Sequence, residues 1–275
     1  GWEPVLEEEF EGTTLDESLW TKLVNDDWID DGIQTPDTIA LDGQGNLQMS
    51  VYTDENGREH GGGLMTGGIG SMEPTPGGYD SAYGYAEARM LFPDGPATIS
   101  TFWMMSANGN NSLPFGDPAS DGPELDIAEH YNLPSTGPLA GDSNGDGRCD
   151  WPGDSPVPCT ESILVGGHWD GFEEDHKSFH FEPTFNPNPA VSLQGSFHTY
   201  GVLWTPEEYR FFIDGLEVER YTIGQTFAPE HILLQTYIAY NGLSDFGPLG
   251  APENDRTLID YVKVWQRPVS DVPDQ

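Results

Sequence analysis

The chain has 275 residues, of which 47 are acidic and 10 basic, for a formal net charge of -37. Nucleic acid and anionic membranes are excluded as partners by that balance, because both are held by Lys and Arg neutralising phosphate. No apolar run approaches the length needed to span a bilayer as a helix.

A length of this order suits one domain with a substantial core, expected over residues 1–267 with 268–275 as a loose tail. A monomer is expected. So acidic a surface is tolerated best where salt screens its repulsion, which points to a saline setting; an ordinary acidic extracellular protein is the alternative. The start, Gly1-Trp2-Glu3-Pro4, has no charged segment followed by an apolar one. Export is therefore expected with any signal peptide already removed.

With 34 glycines and 23 prolines spread along the chain, long amphipathic helices have no room, and β-branched and aromatic residues cluster in strand-length patches. In chain order these are 83–92, 99–105, 198–204, 209–213, 216–221, 232–240 and 258–265. Asp214-Gly215 is a hairpin turn signal joining two of them. Many short antiparallel strands predict an all-β sandwich or barrel. The polar stretch 132–160 reads as a long loop. It contains the two cysteines, Cys149 and Cys159, which lack the paired spacing of a zinc site and are expected to form a disulfide in an oxidising compartment.

The most informative segment is Asp121-Gly-Pro-Glu-Leu-Asp-Ile-Ala-Glu-His130, where three acids alternate with apolar residues. On a regular strand Glu124 and Asp126 share a face and Glu129 points away. A one-residue bulge at Ile127-Ala128 would bring all three carboxyls to one face. Crowded carboxylates repel, so at least one would hold its proton near neutral pH, as a general acid must. In that arrangement Glu124 would attack an anomeric carbon and Glu129 would act as acid and then base, with Asp126 tuning Glu124. A retaining glycosidase needs its two carboxyls about 5 to 5.5 Å apart, which same-face neighbours on one strand approach. On spacing alone, an exposed acidic strand in an acidic protein reads the same. A second acidic run, Asp142 to Asp150, has oxygen ligands at positions one, three, five and nine of a calcium loop (Asp142, Asn144, Asp146, Asp150). Gly153 stands where the closing glutamate belongs, so a glycine-rich surface turn is the alternative.

Glu124-Leu-Asp126-Ile-Ala-Glu129 resembles the E-x-D-x-x-E signature of glycoside hydrolase family 16 in its bulged, laminarinase/agarase/carrageenase-like form. Tyr83-Gly-Tyr-Ala-Glu-Ala-Arg89, Ser100-Thr-Phe-Trp-Met104, Phe197-His-Thr-Tyr-Gly-Val-Leu-Trp-Thr-Pro206 and Ile259-Asp-Tyr-Val-Lys-Val-Trp265 resemble its other blocks in the right order. The resemblance implies a concanavalin-like jelly roll of two curved antiparallel sheets and a secreted, retaining endo-hydrolase of a β-linked polysaccharide. Neutral β-1,3-glucan is the first choice and a β-galactan the alternative; a non-catalytic carbohydrate-binding jelly roll is the reading from another class. It also implies Trp103 as a sugar platform, with a core tryptophan as the alternative, and His168 beside the acid/base. From the residues themselves Trp28 and Arg89 are further candidate substrate contacts, with loop anchoring and a plain ion pair as their alternatives. His130 would be turned away from the cleft. A structural calcium is implied at Glu9, Gly45 and Asp260, with no metal in the chemistry. One departure is Pro123 directly before Glu124, which leaves the substrate open.

Overall fold

The computed structural model describes residues 1–28, 32–67, 79–93, 98–106, 124–132, 162–170, 176–179, 184–188, 190–238 and 256–267. Within them the chain is β apart from one 3-10 turn, Pro36–Thr38. The strands are β1 (Glu3–Glu8), β2 (Thr21–Lys22), β3 (Asn25–Trp28), β4 (Gly32–Gln34), β5 (Ile39–Leu41), β6 (Leu47–Ser50), β7 (Tyr52–Thr53), β8 (Glu59–Met65), β9 (Asp80–Ser81) and β10 (Gly84–Leu91). There follow β11 (Thr98–Ser106), β12 (Glu124–Asn132), β13 (Ser162–Trp169), β14 (Lys177–Phe179), β15 (Thr184–Phe185), β16 (His198–Trp204), β17 (Tyr209–Ile213), β18 (Leu216–Tyr221), β19 (Glu230–Ile238) and β20 (Arg256–Gln266).

Two sheets form the jelly roll. The first has 8 strands, ordered β18-β17-β16-β10-β20-β6-β5 with β1 beside β20; the second has 12, ordered β14-β13-β12-β11-β19-β8-β4-β3 with short strands at its margins. Pairing is antiparallel except between β4 and β8. Alternation decides which face of each strand is buried. In β10, Ala86, Ala88 and Met90 point inward while Tyr85, Glu87 and Arg89 point out. From the second sheet Phe102, Leu125, Val165 and Leu234 meet them in one continuous core. Each fully buried Leu or Phe contributes about 1.5–3 kcal/mol. The β17–β18 turn places Asp214 at φ 49 and Gly215 at φ 73, both left-handed as a two-residue hairpin requires. Asp214 also accepts from the Thr199 backbone N–H at 3.0 Å and bonds His198 Nδ1 at 2.8 Å.

The expected disulfide, the loop 132–160 beyond Asn132, the calcium loop at Asp142, Asn144, Asp146 and Asp150, and the tail 268–275 fall outside the described residues.

Candidate active site

On β12 the carboxyl-bearing face is the outward face of the second sheet. Leu125, Ile127 and Ala128 all enter the core, and the register shows why two apolar residues in a row fit there. Asp126 lies opposite Gly166 and Glu129 opposite Leu164, three steps on β12 against two on β13. On the other side Asp126 lies opposite Trp103 and Ala128 opposite Phe102. The extra residue is a β-bulge at Ile127-Ala128, and it returns Glu129 to the face of Glu124 and Asp126. Glu124 and Glu129 are partly exposed and Asp126 is buried.

Neighbouring strands supply the surroundings. Trp103, opposite Asp126, packs with Leu23, Met65 and Leu233 in a small cluster separate from the core. Its indole N–H donates to Gln235 Oε1 at 2.8 Å, which fixes the ring. Gln235 and Thr101 are paired in register with each other, and Thr101 with Glu129. Both are buried, and Thr101 Oγ1 and Gln235 Nε2 have no hydrogen-bond partner, the condition of groups awaiting a polar ligand. His168 stands opposite Glu124 with its Nε2 3.6 Å from Asp126 Oδ2. Its Nδ1 is 2.8 Å from Nε2 of His176.

Burial governs the charge states. It pushes the Glu124 carboxyl up to about 7. Asp126 is held well above the carboxylate range, first by burial and then by the neighbouring carboxyls, Glu129 and Glu124 ahead of Glu230. His168 is pushed down to about 4 by burial and by His176, so its imidazole is neutral near pH 7. Glu230 is a member of this electrostatic group that sequence reasoning missed. It follows the inward alternation of Ile232 and Leu234 on β19, is fully buried, and has no hydrogen-bond partner on either oxygen. Burial and the Glu124 charge hold it well above the usual range, as a neutral acid. A polar residue opening an apolar run was its only signal in the sequence.

Other expected site residues separate from this face. Arg89 points from the outer face of the opposite sheet, where it pairs with Asp260 and lies 4.6 Å from the Phe197 ring centroid. The substrate-contact reading of Arg89 is therefore corrected to the ion-pair alternative, with Asp260 as its partner. That pairing also occupies one of the expected calcium ligands. A second, Glu9, is bound to Lys263 at 2.6 Å, and Gly45 lies in a turn beside the Glu11 side chain. As placed, these residues do not fit a cation, and among the described residues no group of three His, Cys, Asp or Glu converges on one. His130 is fully buried and stacks on Phe92 with centroids 4.2 Å apart, turned away from the carboxyl face. Trp28 ends β3 at the margin of the second sheet; its side chain lies outside the described residues.

The sequence profile of glycosyl hydrolases family 16 matches residues 166–244. An endo-1,3-1,4-beta-glycanase, ExsH, of Rhizobium meliloti (strain 1021) is 25% identical over 217 residues, which is 78% of this chain and 36% of that protein. The chain thus spans about a third of the curated relative's length. Among solved structures, the catalytic domain of an endo-1,3-beta-glucanase (laminarinase) from Thermotoga petrophila RKU-1 superposes with a TM-score of 0.66 at 17% identity, covering 97% of this chain and 98% of that one. Porphyranase B from Zobellia galactanivorans gives a TM-score of 0.68 at 21% identity, covering 96% and 92%. In profile and relatives the chain is similar to glycosyl hydrolases family 16, and the solved structures share its fold.

Proposed function

We propose that the protein is a retaining endo-glycoside hydrolase acting on a β-glucan, with β-1,3-linked glucan as the first substrate. The observation that carries this reading is the bulge in β12, which gathers Glu124, Asp126 and Glu129 on one face beside Trp103. In the first step the Glu124 carboxylate attacks the anomeric carbon while Glu129 gives its proton to the departing glycosidic oxygen. In the second, Glu129 takes a proton from water, whose oxygen displaces Glu124 and restores both groups. Asp126 holds a proton or hydrogen bond against Glu124. Trp103 supplies a flat apolar surface for a pyranose face, and Thr101 Oγ1 and Gln235 Nε2 offer polar contacts to hydroxyls.

The glucan preference draws on the 1,3-1,4-beta-glycanase and laminarinase likenesses. The porphyranase likeness supports a β-galactan as the second reading. Ten basic residues in the whole chain argue against a heavily sulfated polymer, whose esters need cationic or multiply donating partners. The acidic composition fits action outside the cell, in salt. The test is reducing-end release from laminarin, mixed-linkage glucan, agarose and porphyran by the protein and by Glu124→Gln and Glu129→Gln. Cleavage of one polymer, lost in both variants, supports the reading and names the substrate. Equal binding of a polymer by all three proteins without cleavage overturns it in favour of a carbohydrate-binding role.

A further inference from the structure

A line of polar groups runs from solvent to the buried middle carboxyl. His176 is exposed immediately before β14, and its ring stacks on that of His168 with centroids 5.1 Å apart and planes 11° apart. Its Nε2 is 2.8 Å from His168 Nδ1, a separation that requires one shared proton between the two nitrogens. The other nitrogen of His168, Nε2, faces Asp126 Oδ2 at 3.6 Å, and that oxygen is buried with no hydrogen-bond partner. A side-chain adjustment of well under an ångström closes the line. Among the described residues the groups near it are Glu124 and Glu129 on β12, Glu230 from the interior, and Asp170, which pairs with Lys177.

We propose that His176 and His168 form a two-imidazole proton wire that carries a proton between Asp126 and solvent. The balance is simple. Asp126 gives its proton to His168 Nε2, His168 gives the one on Nδ1 to His176 Nε2, and His176 gives the one on Nδ1 to water. Both imidazoles end neutral with their tautomers exchanged, and the carboxyl cluster has lost one proton. The reverse sequence reloads it. This inference rests on the hydrolase reading at one point: the Glu124 charge that helps hold the Asp126 proton is lost when the glycosyl ester forms and returns when water displaces it, so Asp126 releases and regains a proton within each turnover with no net change. His176 is a positioning and relay residue, outside contact with the reacting atoms.

The test uses His176→Phe, which keeps a stacked ring and removes both nitrogens, and His176→Ala. On whichever polymer the protein cleaves, kcat is expected to fall roughly 10-fold in both, a modest part of what positioned proton transfer can contribute. KM should hold, and added imidazole should restore most of the rate to His176→Ala. A wild-type kcat in His176→Phe, or a loss that imidazole does not relieve, overturns the wire. A readout that needs no turnover separates this from failure of the hydrolase reading: solvent exchange of the His168 imidazole proton, followed by 15N NMR. It slows in His176→Phe if the wire exists, even in a protein that cleaves nothing, and an unchanged exchange rate refutes the wire alone.

Discussion

Replacing Glu124 by Gln should stabilise the fold, and by an amount that depends on pH. Burial raises this carboxyl from 4.5 to about 7, which corresponds to about 3 kcal/mol of preference for the neutral form. The sign follows from proton counting. Between those two values the folded protein keeps a proton that the unfolded chain releases, so stability is full below pH 4.5 and is lost as pH rises through 7. Gln has the shape of the neutral acid and cannot ionise, so the variant escapes that loss. Thermal unfolding of both proteins at constant ionic strength, from pH 4 to 8.5, should give nearly equal Tm values at the acid end. By pH 8 the variant should lead by roughly 6 °C or more, taking ~2 °C per kcal/mol for a domain of this size. A difference that stays constant across the range would refute the argument that burial keeps Glu124 protonated.

Three further outcomes follow from particular contacts. Gln235→Leu removes the acceptor that fixes the Trp103 indole. KM for the cleaved polymer should rise about 5-fold, the size of one net hydrogen bond, with Tm little changed; an unaltered KM would show that Trp103 is held by packing alone. Gly61→Ala puts a methyl 2.5 Å from the Thr236 carbonyl oxygen and 2.9 Å from Tyr237 Cα, both backbone atoms that cannot give way. It should cost about 2 kcal/mol or more, read as a lower midpoint in urea. With a net charge of -37, transfer from concentrated to very dilute salt should lower Tm as screening is lost, and an unchanged Tm and activity would remove the case for a saline setting.

What the sequence reveals and what it hides divide along physical lines. β16, β17 and β18 are legible to the residue because their aromatic and β-branched residues alternate and Asp214-Gly215 marks the turn. The bulge is legible too, since three acids cannot share a strand face at positions 124, 126 and 129 without an extra residue. β8 is hidden by its glycines, a composition with poor strand propensity. The structure explains their presence: side chains at Gly61, Gly62 and Gly63 would strike Thr236, Thr38 and Leu23. Arg89, Glu9 and Asp260 carry the right chemistry for sugar or cation binding, but their roles depend on which sheet face they occupy and on which charge lies opposite. Those partners, Asp260 for Arg89 and Lys263 for Glu9, arrive from strands distant in sequence. Glu230 and His176 are unremarkable in a chain so rich in acids; only burial singles out the first and only the ring stacked on His168 the second.

The proposed mechanism stands on Glu124 as the nucleophile, on a face shared with Glu129. The most direct measurement is mass spectrometry of the protein after reaction with an activated 2-fluoro-glucan oligosaccharide, a substrate that forms the glycosyl ester and releases it slowly. One sugar adduct per chain is expected, mapped to the peptide bearing Glu124 and absent from Glu124→Gln. An adduct on Glu129, or turnover with no adduct and an inverted product, would contradict it.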